Sequence, residues 1–430
     1  MGALVLAILY GAVAMKTGLF PKEEVNWFFR NLAEVRDELS GVRRAALAIP
    51  GKGPTIAHLD EDRMSPGLTF ITRLEDDSLH RLEIISPDGT VVHSWVADWF
   101  ELIEDDGFLP DNLKPKQQPG ASIHGVQVLD TGEIVLNFEY LTTLKLDVCG
   151  RMVWAAENLG HHSIDVTEDG NLWVGSTEFH PRGSDPPFPN HRAPFYEWTA
   201  QRLKPDGMPG EEISLVELLL KNDLLGLLYA TNQQNTDPQS SGDTLHLNDV
   251  EEFPPDLAPG VFTHGDLMVS LRNINTVLVF DPATGVIKHR ATGLFLRQHD
   301  PDFIDGNRYI VFDNRNLGTA ETPLARSRIL EVTAAETGGV ESIREFHRGP
   351  NSPDFYTNVK GRQQILANGN ILIVVSREGR VLELTSDGDP VWEYRNQVAE
   401  DRRGEVTEAQ RLPPHLDEGF FAAARAFCPS

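Results

Sequence analysis

The chain has 430 residues, of which 40% are hydrophobic and 24% charged, the balance of a globular core. A formal net charge of −26 argues against a nucleic-acid partner, because a phosphate backbone needs a basic footprint and none is visible. The two cysteines, Cys149 and Cys428, have no CxxC or zinc spacing, which leaves either a disulfide made outside a reducing cytosol or two unpaired thiols.

The first element is apolar. GALVLAILYGAVAM is an uncharged run of about 14 residues, short for a span of roughly 20, and Lys16 follows it. It reads as a signal-like segment or a membrane anchor over 1–20, with a buried core helix as the weaker reading. The anchor is the expectation adopted, which makes the membrane a partner. FPKEEVNWFFRNLAEVRDEL then carries apolar residues at helical spacing, so 21–65 is expected to be a juxtamembrane helix and linker, broken at Pro50-Gly51-Lys52-Gly53-Pro54.

From about residue 66 the pattern alternates with a period of two, and a unit repeats. Six closing turns recur: SPDGTVVHSW (86–95), DVCGRMVWAA (147–156), KPDGMPGEEI (204–213), DPATGVIKHR (281–290), AAETGGVESI (334–343) and TSDGDPVWEY (385–394). Five middle turns, such as LDTGEIVLN (129–137) and LANGNILIVV (366–375), place Gly beside Asp or Asn ahead of an alternating strand, which is hairpin chemistry. Six such units imply an all-β, six-bladed β-propeller over 66–395, with helical and loop insertions and a C-terminal tail at 396–430. The insertions at 176–200 and 211–230 account for repeat spacing beyond a minimal blade.

Aligning the first strand of each repeat on the apolar residue before its turn places a histidine four positions upstream: His124, His162, His246 and His299. The sixth repeat has Arg362-Gln363-Gln364 near this place. One strand histidine is more often structural than catalytic, but first strands line a propeller's channel, so four at one level converge. Asn248 shares a face with His246, two residues on. Arg272 and Asn273 follow the second strand of the fourth repeat, and Asp313-Asn314-Arg315 that of the fifth.

These stretches resemble the bacterial arylsulfate sulfotransferase family, nucleotide-independent six-bladed propellers that move a sulfuryl group between phenols. HGVQVLDTGEIVLNFE (124–139), LHLNDVEEF followed by SLRNIN (245–275) and RQHDPDFIDGNRYIVFDNRN (297–316) carry the resemblance, which covers about 66–395. It implies His299 as the sulfurylated nucleophile, with His246, Asn248, Arg272 and His161 or His162 around it; the repeat alignment prefers His162. His124 receives no family role. An aryl sulfate donor and a phenolic acceptor are implied, with no cofactor and no metal.

The chemistry is coherent. Sulfuryl transfer resembles phosphoryl transfer, with an in-line nucleophile and charge spread over equatorial oxygens. A neutral imidazole attacks sulfur and holds the group covalently. Arg272 pairs with the oxygens, and His246 and His162 donate hydrogen bonds or protonate the leaving phenolate. Asp300 is expected to point away from His299, while Tyr196, Trp198 and Tyr356 are candidates to stack on an aryl ring. Two other readings compete. One is a non-catalytic propeller of the same type, a binding or scaffold subunit of a membrane assembly. The other is a metal-dependent propeller using the histidines as ligands, against which Arg272 weighs. The anchor places the propeller in the periplasm.

Overall fold

The computed structural model describes residues 48–74, 79–111, 113–181, 183–185, 188, 191–230, 240–317, 324 and 326–428, with positions 2, 9–11 and 13 ahead of them. Two units are present, Met1–Ile49 and Pro50–Ser430. The helices expected over 1–20 and 21–45 fall outside the described residues apart from those few positions. Among the described residues, no helix is long and apolar enough to cross a membrane.

The second unit is a six-bladed propeller. Blades 2 to 5 are consecutive antiparallel sheets whose inner strands are Ile123–Val128, His161–Val166, Leu247–Glu252 and His299–Asp305. The six closing turns join third to fourth strands, as the repeat pattern requires. The middle turns join first to second strands, and there are five because blade 1 takes its inner strand from elsewhere. Ala409–Arg411, near the C-terminus, pairs with Thr69–Leu74 in that place. At the other end, Ile56–Leu59 adds an outer strand to blade 6, pairing with Pro390–Arg395. The ring therefore takes in strands on both sides of the expected 66–395 span. The segment 396–430 is no detached tail. Its helix Glu418–Phe427 packs Phe421 into the gap between blades 1 and 2, and Cys428 bonds to Cys149.

Burial explains the sequence of the middle strands. IVLNF (134–138), LMVSL (267–271) and ILIVV (371–375) are buried along their length because each sheet has a neighbour on both faces. Alternate residues face opposite gaps. Leu136 packs toward blade 1, whereas Val135 packs toward blade 3. Six apolar clusters fill the six gaps between consecutive blades.

Around the channel the inner strands are stitched by polar side chains. The Glu408 carboxylate accepts from the Gly125 N–H (2.8 Å), Asp165 from Glu252 (3.0 Å) and Glu251 from Phe303 (3.1 Å). Asp300 accepts from the Gln363 N–H (2.7 Å), and the Gln364 amide oxygen from Arg411 (2.7 Å). Between blades 2 and 3 the Asn137 amide donates to the His162 carbonyl (3.0 Å). Each bond runs from one blade to the next and satisfies a backbone group that has no strand beside it. Burial pushes Asp165 and Asp300 up to about 6, and Asp249, Glu251 and Asp302 further above the usual range. The Arg362 guanidinium lies 2.7 Å from Glu408 and 3.7 Å from Asp300.

Two outcomes follow. Replacing Cys149 by Ser should lower unfolding free energy by about 2–5 kcal/mol in a denaturant titration, because the bond closes a loop of 279 residues. Asp165 binds its proton more tightly folded than unfolded, so its contribution is complete below about pH 4 and lost as pH rises through about 6. Asp165→Asn should therefore gain on wild type by up to about 3 kcal/mol between pH 4 and 7; a constant difference would show that the carboxyl is ionised throughout.

Candidate functional site

The N-terminal ends of four adjacent inner strands bring five imidazoles together. His124 belongs to blade 2, His161 and His162 open blade 3, His246 directly precedes the blade 4 strand, and His299 opens blade 5. They are 0–7% exposed. The His162 ring is central, with centroids 3.7 Å from His161, 4.0 Å from His124, 5.1 Å from His246 and 5.7 Å from His299.

The backbone is irregular at this level. Pairing slips between His161 and Ile164 and between His299 and Asp302, and His162, His246 and Asp300 take left-handed φ values of 60°, 53° and 47°. Such bulges re-aim side chains. Gly125, φ 90°, is needed for a different reason: a Cβ there would fall 1.5 Å from the His162 carbonyl oxygen. Blade 2 thus approaches blade 3 closely enough for His124 to reach His162.

The register corrects the repeat alignment in one blade. Val128, Val166, Glu252 and Phe303 pair with Ile134, Leu172, Leu267 and Tyr309; the first three open their second strands, and Tyr309 is the second residue of its own. Four positions upstream stand His124, His162, Asn248 and His299. His246 is two residues beyond the common level, because Glu251 and Glu252 extend the blade 4 strand past Val250. Two acidic residues there read as a turn in sequence.

Hydrogen bonds set the tautomers. His299 Nδ1 is 2.7 Å from Asn314 Oδ1 and 3.1 Å from the Arg297 carbonyl. The Asn314 amide group donates to the Thr357 and Lys360 carbonyls, 3.0 and 2.6 Å away, so its oxygen must face the imidazole. Both neighbours of Nδ1 are acceptors. Nδ1 therefore carries the proton and Nε2 a lone pair, buried without a protein partner. Burial, then the field of Arg272, holds His299 well below the usual histidine range, so it is neutral.

His246 is arranged in the same sense. Its Nδ1 is 2.5 Å from Asp243 Oδ2, whose other oxygen accepts from Trp198 Nε1 at 2.9 Å. Burial lowers the His246 pKa against the pull of Asp243. His161 Nε2 contacts Glu139 at 3.2 Å, with His124 Nδ1 3.8 Å from the same oxygen. Burial opposes ionisation of Glu139, but these two histidines hold it well below the carboxylate range. Burial takes His161 down to about 3.

Arg272 opens the turn Arg272–Ile274 after the second strand of blade 4, its N–H bonded to the His246 carbonyl (3.0 Å). Its charge acts on His299 and His246, so it shares their surroundings. Asn248 is a tie between blades: its amide donates to the Gln298 carbonyl (2.7 Å) and so fixes the residue before His299, while its oxygen is unpartnered. Asp300 turns to blade 6, where its carboxylate accepts from the Gln363 N–H. Trp198 packs against His161 and His246, 5.3 and 5.0 Å between centroids. Tyr196 reaches Tyr140, and Tyr356 sits where its N–H bonds Glu378.

Glu139 and Asp243 were not singled out in sequence. Glu139, Arg272 and Asn314 have a common origin, since each follows the second strand of its blade (NFEY, SLRN, FDNR). That regularity would have found Glu139. Asp243 precedes its strand and has no repeat counterpart.

The fold and site define a six-bladed propeller with a buried, carboxylate-backed histidine nest. The Arylsulfotransferase (ASST) family profile matches residues 125–397, and the chain belongs to that family. No curated protein matches the sequence. Among solved structures, a protein of unknown function from Bacteroides caccae is 13% identical, covering 80% of this chain and 98% of its own, with a TM-score of 0.47. An auxiliary nutrient binding protein from Bacteroides ovatus is 11% identical over 77% of this chain and 76% of its own, TM-score 0.39.

Gly125→Ala should cost on the order of 3 kcal/mol or more, because the blades must part and the residue is strained at positive φ. Denaturant unfolding measures this; a loss below about 1 kcal/mol would mean that the two strands do not need their close approach.

Proposed function

We propose that the protein transfers a sulfuryl group from an aryl sulfate to a phenolic acceptor through a covalent intermediate on His299. The observation that carries this reading is the His299 imidazole, neutral, oriented by Asn314 and presenting an unprotonated Nε2 beside Arg272. Membership of the arylsulfotransferase family supports the substrate class.

In the first half-reaction His299 Nε2 attacks sulfur, the S–N bond forms and the S–O(aryl) bond breaks. The leaving phenolate takes the Nε2 proton of His246 in its imidazolium form, whose Nδ1–H is held by Asp243, and the resulting positive charge on His299 is offset by the sulfonate. In the second half an acceptor phenol gives its proton back to His246 and its oxygen displaces the imidazole from sulfur. Asp243 stabilises the protonated form of His246 that this exchange requires. Arg272 offsets charge on the sulfonate oxygens, and His162, whose two nitrogens are both unpartnered, donates a hydrogen bond to them. Asn248 acts on the nucleophile through the Gln298 backbone. Trp198, fully buried against two of the histidines, packs the site rather than stacking on a ring. The Cys149–Cys428 bond supports an extracytoplasmic site of action, and the apolar segment 1–20 supports anchoring to the membrane there.

Incubation with aryl sulfate alone should give a protein adduct of one sulfuryl group by mass spectrometry, and turnover with phenol should be ping-pong. His299→Ala should form no adduct. Asn314→Ala should slow adduct formation by about 10²-fold or more, through loss of the correct tautomer. An adduct that persists in His299→Ala, or folded wild type that transfers nothing to a panel of phenols, would overturn the proposal.

A further inference from the structure

The nest has a property that sulfuryl transfer does not use. The ligating atoms of His161, His162 and His246 all lie within 4.8 Å of one another. These residues are 0–4% exposed. Nδ1 of His161, Nε2 of His246 and both nitrogens of His162 have no partner in the protein. Orphaned nitrogens at such depth are costly unless something occupies the space between them.

The far sides of two of these rings are the second observation. Glu139 takes Nε2 of His161 at 3.2 Å, and Asp243 takes Nδ1 of His246 at 2.5 Å. A carboxylate on one nitrogen fixes the tautomer, turns the opposite lone pair inward and raises its basicity. Proteins prepare metal-ligating histidines in this way. His299 is prepared differently, by the neutral amide of Asn314, and is outside the group of three.

We propose that His161, His162 and His246 bind one divalent transition-metal ion, zinc or copper by the preference of imidazole. Three ligands leave a fourth position open. Arg272, which weighed against a cation when only the sequence was in view, is answered by two carboxylates that burial has not neutralised, Glu139 and Asp243. The site does not depend on the transfer reading. It draws on lone pairs of His162 and His246, so an ion there would inhibit a transferase that works as proposed above.

The full-length protein, stripped with chelator and free of aryl sulfate, is titrated with zinc by calorimetry and with cobalt by visible absorption. One ion per chain is expected, with a cobalt spectrum typical of nitrogen ligands. His246→Ala should weaken binding at least 100-fold. The conservative Asp243→Asn should weaken it about 10–100-fold without removing a ligand. His299→Ala should bind as wild type does, although it forms no sulfuryl adduct, so failure of one proposal is distinguishable from failure of the other. Absence of saturable binding by folded wild type would overturn the site. So would unchanged affinity in both His246→Ala and Asp243→Asn, which would assign the ion to exposed histidines such as His58, His264 or His415.

Discussion

Each inner strand of the ring has a sheet neighbour on one side only, and its other edge faces the preceding blade. The backbone N–H groups of that edge need acceptors, and side chains of the preceding blade supply them: Glu408, Asp165, Glu251, Asp300 and Gln364. The remaining architecture rests on this circumferential set of bonds, because apolar packing between blades is non-directional and does not fix how far one sheet slides along the next. A carboxylate on a named N–H does fix it. Its cost is visible in the raised pKa values of the channel acids, and Arg362, between Glu408 and Asp300, offsets part of that charge.

Once the inner strands are in register, their N-terminal ends meet at one level and the histidines meet with them. The site is then refined by local departures from regular strand geometry. Bulges and left-handed residues at His162, His246 and Asp300 turn side chains out of the strict alternation, and Gly125 lets two backbones approach where any Cβ would part them. The same irregular residues that position the imidazoles leave their nitrogens without protein partners. Such backbone departures and orphaned nitrogens cost stability.

Charge is managed locally rather than globally. The whole chain is strongly acidic, yet five buried imidazoles share their space with the Arg272 guanidinium and the carboxylates of Glu139 and Asp243. Burial disfavours the charged form of His161, His162, His246 and His299, and the two carboxylates have assigned partners. Glu139 serves His124 and His161, Asp243 serves His246 and Trp198, and the amide of Asn314 serves His299 without adding charge. An amide stands behind the His299 ring, and carboxylates stand behind those of His161 and His246.

The sequence alone determined the number and kind of blades, since hairpin chemistry and period-two patterning are local properties of the chain. It also determined His124, His162 and His299 at one level of the repeat, and the family to which they point. Even its imbalance, six closing turns against five middle ones, registers the missing inner strand. Where that strand comes from was not legible, because Ala409–Arg411 is too short to carry a pattern and pairs with residues more than 300 positions away. The Cys149–Cys428 bond was undecidable for the same reason of distance. His246 was placed two residues off because Glu251 and Glu252, in strand but acidic, look like a turn until the channel stitching explains them. Only the tertiary structure decided which nitrogen of each imidazole carries the proton. That depends on Glu139, Asp243 and Asn314, which reach their partners through side-chain hydrogen bonds, and such bonds follow from the packed ring rather than from any periodicity in the chain.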